Sequence, residues 1–335
     1  MFGTVARRMV AGLADACGVA LAAKTFLRAP ALLVLTYHRI GQPADCESGS
    51  GTYSADAESF RQQLEWLRCC YPVLTLDEAL SALKRPNGLA RPSVLITFDD
   101  GYRDNYSVAL PLLRDAGLPA TFFLPTALVG TNLVPWRDQV AYAIRNARRT
   151  RFALNGVEYD LNAMPADRVI ANLLRRFRED GPARPSAFVA EVAGACDGPI
   201  RRCSPERHLI SWDDARAMLA CGMAIGSHTH THALLGRLTP EDQTQEAVQS
   251  RDVLKHQLGI APRAIALPCG SRSLETPSIL ARAGYEAAFC TTHGVNLPEI
   301  WNFYQLRRVP VDRNETPAGF RMRIALTLGL RRHGT

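Results

Sequence analysis

Ser93-Val-Leu-Ile-Thr-Phe98-Asp99-Asp100-Gly101 is an apolar run of strand length that stops at two adjacent carboxylates and a glycine. Hydrophobic residues without polar alternation are what a strand buried on both faces requires, and such strands belong to parallel sheets covered by helices. Outward from this run the same unit recurs. Ala31 to Tyr37, opened by Pro30 and closed by His38-Arg39-Ile40-Gly41, reads as a second buried strand. Between the two, Phe60 to Cys70 has helical spacing, Val73-Leu74-Thr75 reads as a short strand, and Asp77 is placed to cap a helix through Leu83. Downstream come a helix over Val108 to Ala116, ended by Gly117, and a strand Ala120 to Leu124.

The alternation pauses between Pro125 and Ile210, where Arg145 to Ala195 reads mostly as helix with charged faces. It resumes with a helix Trp212 to Cys221, a strand Met223 to Gly226, a polar helix Glu241 to Leu258 and a strand Ala264 to Leu267. A helix Pro277 to Ala283, strands Glu286 to Thr291 and Gln305 to Val311, and a basic helix near Pro317 to Leu330 complete it. Repeated strand and helix units predict an α/β fold with a parallel sheet, and 335 residues suit one (β/α) barrel with appendages. The expected organisation is an amphipathic helix over 1–30, a barrel over 31–312 with a helical insertion near 126–210, and a basic helix over 313–335.

A hydrophobic content of 47% supplies a large core, which excludes a disordered or fibrous chain. The net charge of +7 comes from scattered arginines without an aromatic-interleaved basic block, so nucleic acid is not an expected partner, whereas an anionic lipid or glycan fits better. Nine cysteines, at 17, 46, 69, 70, 196, 203, 221, 269 and 290, are an odd set without a C-x-x-C pair, which suggests neither a disulfide framework nor a zinc-thiolate site. Unpaired thiols favour a reducing compartment, so the expectation is cytoplasmic, with export second. The apolar stretch Met9 to Ala23, flanked by Arg7, Arg8, Lys24 and Arg28, is interrupted by Asp15 and falls short of the ~20 residues that span a bilayer. It reads as an amphipathic helix that packs on the domain or touches a membrane surface, and a cleaved signal is the minor reading.

Asp99 and Asp100 stand at the carboxyl end of their strand, where α/β barrels place reacting groups. Adjacent carboxylates repel, so they persist where a cation or a proton is shared, although a strand-terminal pair also serves simply to bind turn amides. The second element is Gly226-Ser-His-Thr-His-Thr-His232. His228 and His232 share a face in one helical turn, and an extended chain adds His230, the weakest of the three. One carboxylate with two imidazoles is a ligand set for a divalent ion with open positions, and zinc, cobalt, manganese, iron and nickel all remain open. A neighbouring carboxylate free to take a proton from water makes hydrolysis the natural chemistry.

Thr97-Phe-Asp-Asp-Gly-Tyr102 and His228-Thr-His-Thr-His232 resemble the first two motifs of the polysaccharide deacetylases, the nodulation-type chitooligosaccharide deacetylase homology family. The resemblance spans roughly residues 31 to 312. It implies a distorted (β/α) barrel, Asp99 as base, Asp100, His228 and His232 as ligands of a divalent metal, zinc first, and removal of N-acetyl groups from a glycan. Two motifs depart from the family. Ala266 stands where an arginine usually precedes Pro-Pro-x-Gly, and Arg307 or Arg308 is the available replacement. The late Leu-x-His is missing, but Leu35-Thr-Tyr-His38 ends the first strand as in the circularly shifted branch that includes poly-N-acetylglucosamine deacetylases, which makes His38 the expected acid.

Tyr102 and Cys269 are expected near the oxyanion, with Trp136 and Asp138 as a sugar-stacking face and polar rim, and His293 and Arg307 along the groove with Asn296. Trp212 is expected to pack in the core. Two other readings stay open: a deacylase of a lipid-linked or small glycan, and an inactive glycan-binding protein on the same barrel.

Overall fold

In the computed structural model, which describes residues 30–42, 52–85, 87–297 and 302–329, the strands in chain order are β1 (Leu32–Tyr37), β2 (Arg39–Ile40), β3 (Tyr53–Ala55), β4 (Ser93–Phe98), β5 (Thr121–Leu124), β6 (Arg151–Leu154), β7 (Val157–Asp160), β8 (Ala224–Ser227), β9 (Ala264–Ala266), β10 (Ala287–His293) and β11 (Leu306–Pro310). Seven of them close a barrel in the order β1-β11-β10-β9-β8-β5-β4. Every neighbouring pair is parallel, and β1 joins β4 in register from Leu32↔Ser93 to Tyr37↔Phe98. The buried apolar runs therefore become the wall that the sequence predicts. The expected N-terminal helix lies outside the described residues, and among those described no helix is long and apolar enough to cross a membrane.

Alternation along each strand divides the core. Leu33, Leu35, Ile96, Phe98, Phe122 and Ile225 pack outward with the surrounding helices. Val34, Leu95, Phe123, Ala264, Ala266 and Phe289 belong to a separate cluster that fills the barrel. Small residues set its bore: a Cβ at Gly226 would stand 2.5 Å from the Phe123 ring.

Three local expectations change. Val73 contributes only an isolated bridge to Val94, so the predicted Val73–Thr75 strand is a bonded segment beside β4. The helix Leu76–Leu83 is capped by Thr75 rather than Asp77, because Thr75 and Glu78 form the reciprocal capping box and Asp77 is already inside the first turn. The helix expected from Val108 begins earlier, as a π-helical turn over Asn105–Ala109 that runs into Leu110–Ala116.

Between β5 and β8 lie the helices Trp136–Arg145, Ala166–Asp180 and Pro185–Cys196, together with the antiparallel hairpin β6-β7. That hairpin was not among the expected elements. Its signal is Asn155-Gly156, a turn pair with φ of 49° and 75°, since both residues adopt the left-handed region that two-residue hairpins demand. These elements share a hydrophobic cluster of their own around Trp136, Leu173, Phe177, Phe188 and Val192.

Candidate active site

The carboxyl ends of the barrel strands bring together His38 after β1, Asp99 and Asp100 after β4, and His228 after β8, with His232 on the loop that follows. Asp100 Oδ1 lies 3.3 Å from His228 Nε2 and 3.0 Å from His232 Nε2. His228 Nδ1 is 2.7 Å from the Ala266 carbonyl oxygen, and donating a proton there leaves Nε2 as a lone-pair site toward Asp100. The ligand atoms of Asp100, His228 and His232 all lie within 4.8 Å of one another, and all three residues are buried. Two imidazoles and a carboxylate with convergent lone pairs fit a divalent ion of the zinc type.

The site is held by strained backbone. Asp100 (φ 73°), Thr229 (64°), His232 (61°) and Cys269 (52°) adopt the left-handed region although none is glycine. Such conformations cost about 1–3 kcal/mol each and persist where the surroundings over-determine them. Glu246 is one such determinant: its carboxylate accepts from the backbone N–H groups of His230 and Thr231 at 2.9 and 2.8 Å, and from the Thr231 hydroxyl at 2.6 Å. His230, the weakest of the three expected imidazoles, turns aside to Thr126 Oγ1 at 2.9 Å and takes no part in the cluster.

Asp99 has a different partner. Arg308 Nη1 and Nη2 donate to its two carboxylate oxygens, each at 2.8 Å, while Arg308 Nε donates to the Cys290 carbonyl at 3.0 Å. Arg308 is 2% exposed, so it is an interior side chain of β11, and alternation sends its neighbour Arg307 to the exposed face. The guanidinium that pairs with Asp99 is therefore Arg308, and Arg307 stands away from the cluster. Ala266 and Arg308 approach from strands on either side of β10, so a small residue on one leaves room for a long one on the other.

Electrostatics separates the two carboxylates further. Burial pushes both upward. For Asp100, the contacts with the His228 and His232 imidazoles reverse this and hold it well below the usual carboxyl range. Asp99 is lowered chiefly by the Arg308 charge and then by His228. Burial lowers His38, against the pull of Asp100 and Asp99. The backbone around His38 is fixed on both sides, with its N–H donating to Ser54 Oγ at 3.0 Å and its carbonyl accepting from Asn105 Nδ2 at 2.6 Å. Asn105 opens the π-helical turn, a local widening often found beside functional groups.

The outer expectations fare unevenly. Tyr102 is buried with the Arg39 guanidinium 4.9 Å from its ring, and Arg39 is itself tied to Asp104 at 2.8 Å. Trp136 is 8% exposed and lies 4.4 Å from the Phe177 ring and 6.4 Å from His232, so it is a core residue backing a site imidazole rather than an open stacking face. Asp138 is 3% exposed and thus buried rather than on a rim. Cys269 sits at the turn after β9 with Asp100 and Arg137 among its charged neighbours. His293 ends β10 exposed, with Arg323 as its charged neighbour, and is not gathered into the cluster. Asn296 bonds Leu32 and Arg307 backbone, joining β1 to β11 instead of lining a groove. Trp212 packs against the outer core as expected.

A family profile described as polysaccharide deacetylase matches residues 87–288. The Bacillus subtilis protein YxkH, named for the same family, is 23% identical over 290 residues, covering 86% of this chain and 74% of its own. A Staphylococcus epidermidis poly-β-1,6-N-acetyl-D-glucosamine N-deacetylase is 33% identical over 109 residues, 30% of this chain and 37% of that protein. Among solved structures, the Streptococcus pyogenes deacetylase PplD in complex with acetate superposes with a TM-score of 0.58 at 22% identity, covering 87% of this chain and 97% of that one. IcaB from Ammonifex degensii gives 0.57 at 22%, covering 90% and 98%. These structural likenesses establish the barrel fold.

Proposed function

This chain belongs to the polysaccharide deacetylase family, and from that premise we propose that it hydrolyses the acetamido group of N-acetylglucosamine-type residues in a polysaccharide or oligosaccharide, releasing acetate. The observation that carries the reading is the buried Asp100–His228–His232 group beside the Asp99–Arg308 ion pair. The stretch shared with the poly-β-1,6-N-acetyl-D-glucosamine N-deacetylase supports the choice of sugar.

Asp100, His228 and His232 are the residues that would hold a divalent cation, zinc by preference for a two-imidazole, one-carboxylate set. Such an ion supplies Lewis acidity, lowering the pKa of water and polarising the amide carbonyl. Asp99, kept ionised by Arg308, takes the proton from the attacking water. His38 gives a proton to the departing amine, because it ends β1 at the same mouth as Asp99 and Asp100, and burial, which lowers its pKa against the pull of both carboxylates, makes its protonated form a readier donor. Positioned acid and base groups of this kind contribute about 10²–10⁴-fold each.

The test is acetate release from N-acetylglucosamine oligomers by the purified protein, before and after chelation and metal replacement. Asp99→Asn is expected to reduce turnover by about 10²–10⁴-fold, and chelation to abolish it. Release that survives both would overturn the assignment. A second reading, deacylation of a lipid-linked glycan, is favoured by a cleft of about 500 Å³ beside His232 that includes Leu133, Val134, Val189 and Ile200; faster turnover of lipid-linked than of free sugars would select it.

A further inference from the structure

The two imidazoles of the cluster are held in different ways. His228 follows β8 directly, its N–H donating to the Leu124 carbonyl at 2.9 Å and its Nδ1 lying 2.7 Å from the Ala266 carbonyl oxygen. His232 stands further along the loop, is 4% exposed, and its Nδ1 has no hydrogen-bond partner among the described residues. A ligating imidazole is ordinarily oriented through the hydrogen bond of its other nitrogen. For His232 the orientation falls instead to the backbone that carries it and to the Trp136 ring 6.4 Å away.

One helix grips that backbone. Glu246 and Ser250 lie one turn apart on helix Pro240–Leu258, so they share a face, and both are buried. Ser250 Oγ hydrogen-bonds Ser227 Oγ, which accepts from the Thr229 N–H at 3.1 Å, and it lies 3.3 Å from the Tyr285 hydroxyl. Glu246 Oε2 accepts from the N–H groups of His230 and Thr231, and Oε1 from the Thr231 hydroxyl. A further donor to Oε1 is Arg184 Nη1 at 2.9 Å, which also donates to Thr231 Oγ1 at 3.1 Å. Arg184 precedes helix Pro185–Cys196, and the carbonyl of its neighbour Ala183 accepts from the Leu234 N–H at 2.8 Å. The two captured amides lie between Thr229 and His232, the loop residues with φ of 64° and 61°, so the carboxylate spans the strained stretch.

We propose that Glu246 is a positioning residue for the site: by holding the His230 and Thr231 amides it sets the direction in which the chain enters His232, and so the 3.0 Å approach of His232 Nε2 to Asp100. The proposal rests on the metal-hydrolase reading of the mouth and adds the residue that shapes the ligand loop. Two consecutive N–H groups bound to one oxygen fix the planes of both peptides. A charged acceptor holds them about twice as strongly as a neutral one, and its own burial is compensated because donors engage both oxygens. Without that carboxylate the left-handed conformation of His232 loses what over-determines it, and the loop relaxes toward commoner backbone angles. A neutral amide at 246 would keep an oxygen for the two N–H groups, but it would hold them more weakly and leave Arg184 without its counter-charge.

The test titrates the metal-free wild type, Glu246→Gln and Glu246→Ala with zinc alone and with cobalt(II) alone, in competition with a chromogenic chelator. Affinity is expected to fall about tenfold in Glu246→Gln and about 100-fold in Glu246→Ala, the range spanned by partners that orient metal ligands. The visible absorption of the cobalt-loaded protein is expected to change in the same order. At saturating metal, kcat for acetate release falls while KM stays, because Glu246 acts on a ligand and not on the sugar. Affinity and cobalt spectrum unchanged in Glu246→Gln and Glu246→Ala, or in Glu246→Gln alone should the alanine variant fail to fold, overturn the proposal and leave Glu246 an anchor between helix and loop. A wild type that binds neither ion refutes the metal site by itself. Amide exchange then decides the part of Glu246: acceleration confined to residues 229–232 in Glu246→Gln sustains its hold on His232, and unaltered exchange there removes it.

Discussion

In the barrel, the groups gathered at the mouth lie on strands or on the loops that leave them: His38, Asp99, Asp100, His228 and Arg308 are placed by parallel registers that tolerate little displacement. In the segment between β5 and β8, Trp136, Arg137 and Arg178 come from helices that pack mainly on one another, around a hydrophobic cluster distinct from those of the barrel. Leu234, two residues beyond His232, belongs to that second cluster, and the Trp136 ring faces the His232 imidazole at 6.4 Å. One region thus supplies the reacting groups, while the other supports one imidazole. A barrel can keep its chemistry while a separately packed segment changes what reaches it.

The sharpest way to break this comparison is Trp136→Ala. Removing a buried tryptophan from a well-packed cluster costs about 3–5 kcal/mol. Amide exchange over residues 136–196 is expected to accelerate while β4 and β5 keep their protection. Uniform acceleration in both regions would show one cooperative core instead of two.

On the barrel side, Arg308→Gln removes the charge that opposes the burial of Asp99. Its carboxyl is then expected to rise, and because the base acts only when ionised, the acid limb of kcat/KM moves to higher pH. A loss of about 10²-fold at neutral pH is expected from the misplaced base as well. An unmoved limb would mean that Arg308 only packs the interior.

The smallest effect belongs to an ion-pair group remote from the mouth, where Arg263 and Lys84 lower the Glu286 carboxyl to about 2. Its folded value is depressed, so its stabilisation is complete above the unfolded value of about 4.3 and is lost as pH falls toward the folded one. Glu286 is 35% exposed in its pair with Arg263, so solvent screening limits the contribution to less than about 1 kcal/mol. Glu286→Gln should remove that pH dependence from urea unfolding curves and leave acetate release unchanged.

Where a single short segment carried both pattern and chemistry, it was legible in the chain. The apolar run before Asp99-Asp100 predicts its own burial, and His228 and His232 sit close enough in sequence for one loop to present both. Groups meeting across the barrel were harder to choose. Arg307 and Arg308 are adjacent and chemically identical, and only the inward phase of β11 distinguishes the one that meets Asp99. Trp136 and Asp138 carry no mark of burial in the sequence, so a stacking face and a rim were expected where a core exists. The arginine-rich face of helix Ala166–Asp180 was legible as well: Arg175 and Arg178 are exposed, as a charged helix face predicts.

The amino-acid sequence by itself determined the alternating strands and helices, the barrel class, and the two short motifs that hold Asp99, Asp100, His228 and His232. Those are consequences of local pattern, since a hydrophobic run chooses burial and a strand end chooses exposure to the mouth. Only the tertiary structure decided that Arg308 pairs with Asp99 and that Trp136 supports His232. Each joins residues far apart in the chain, and strand phase and helix packing, properties of the closed fold rather than of any segment, set their distances.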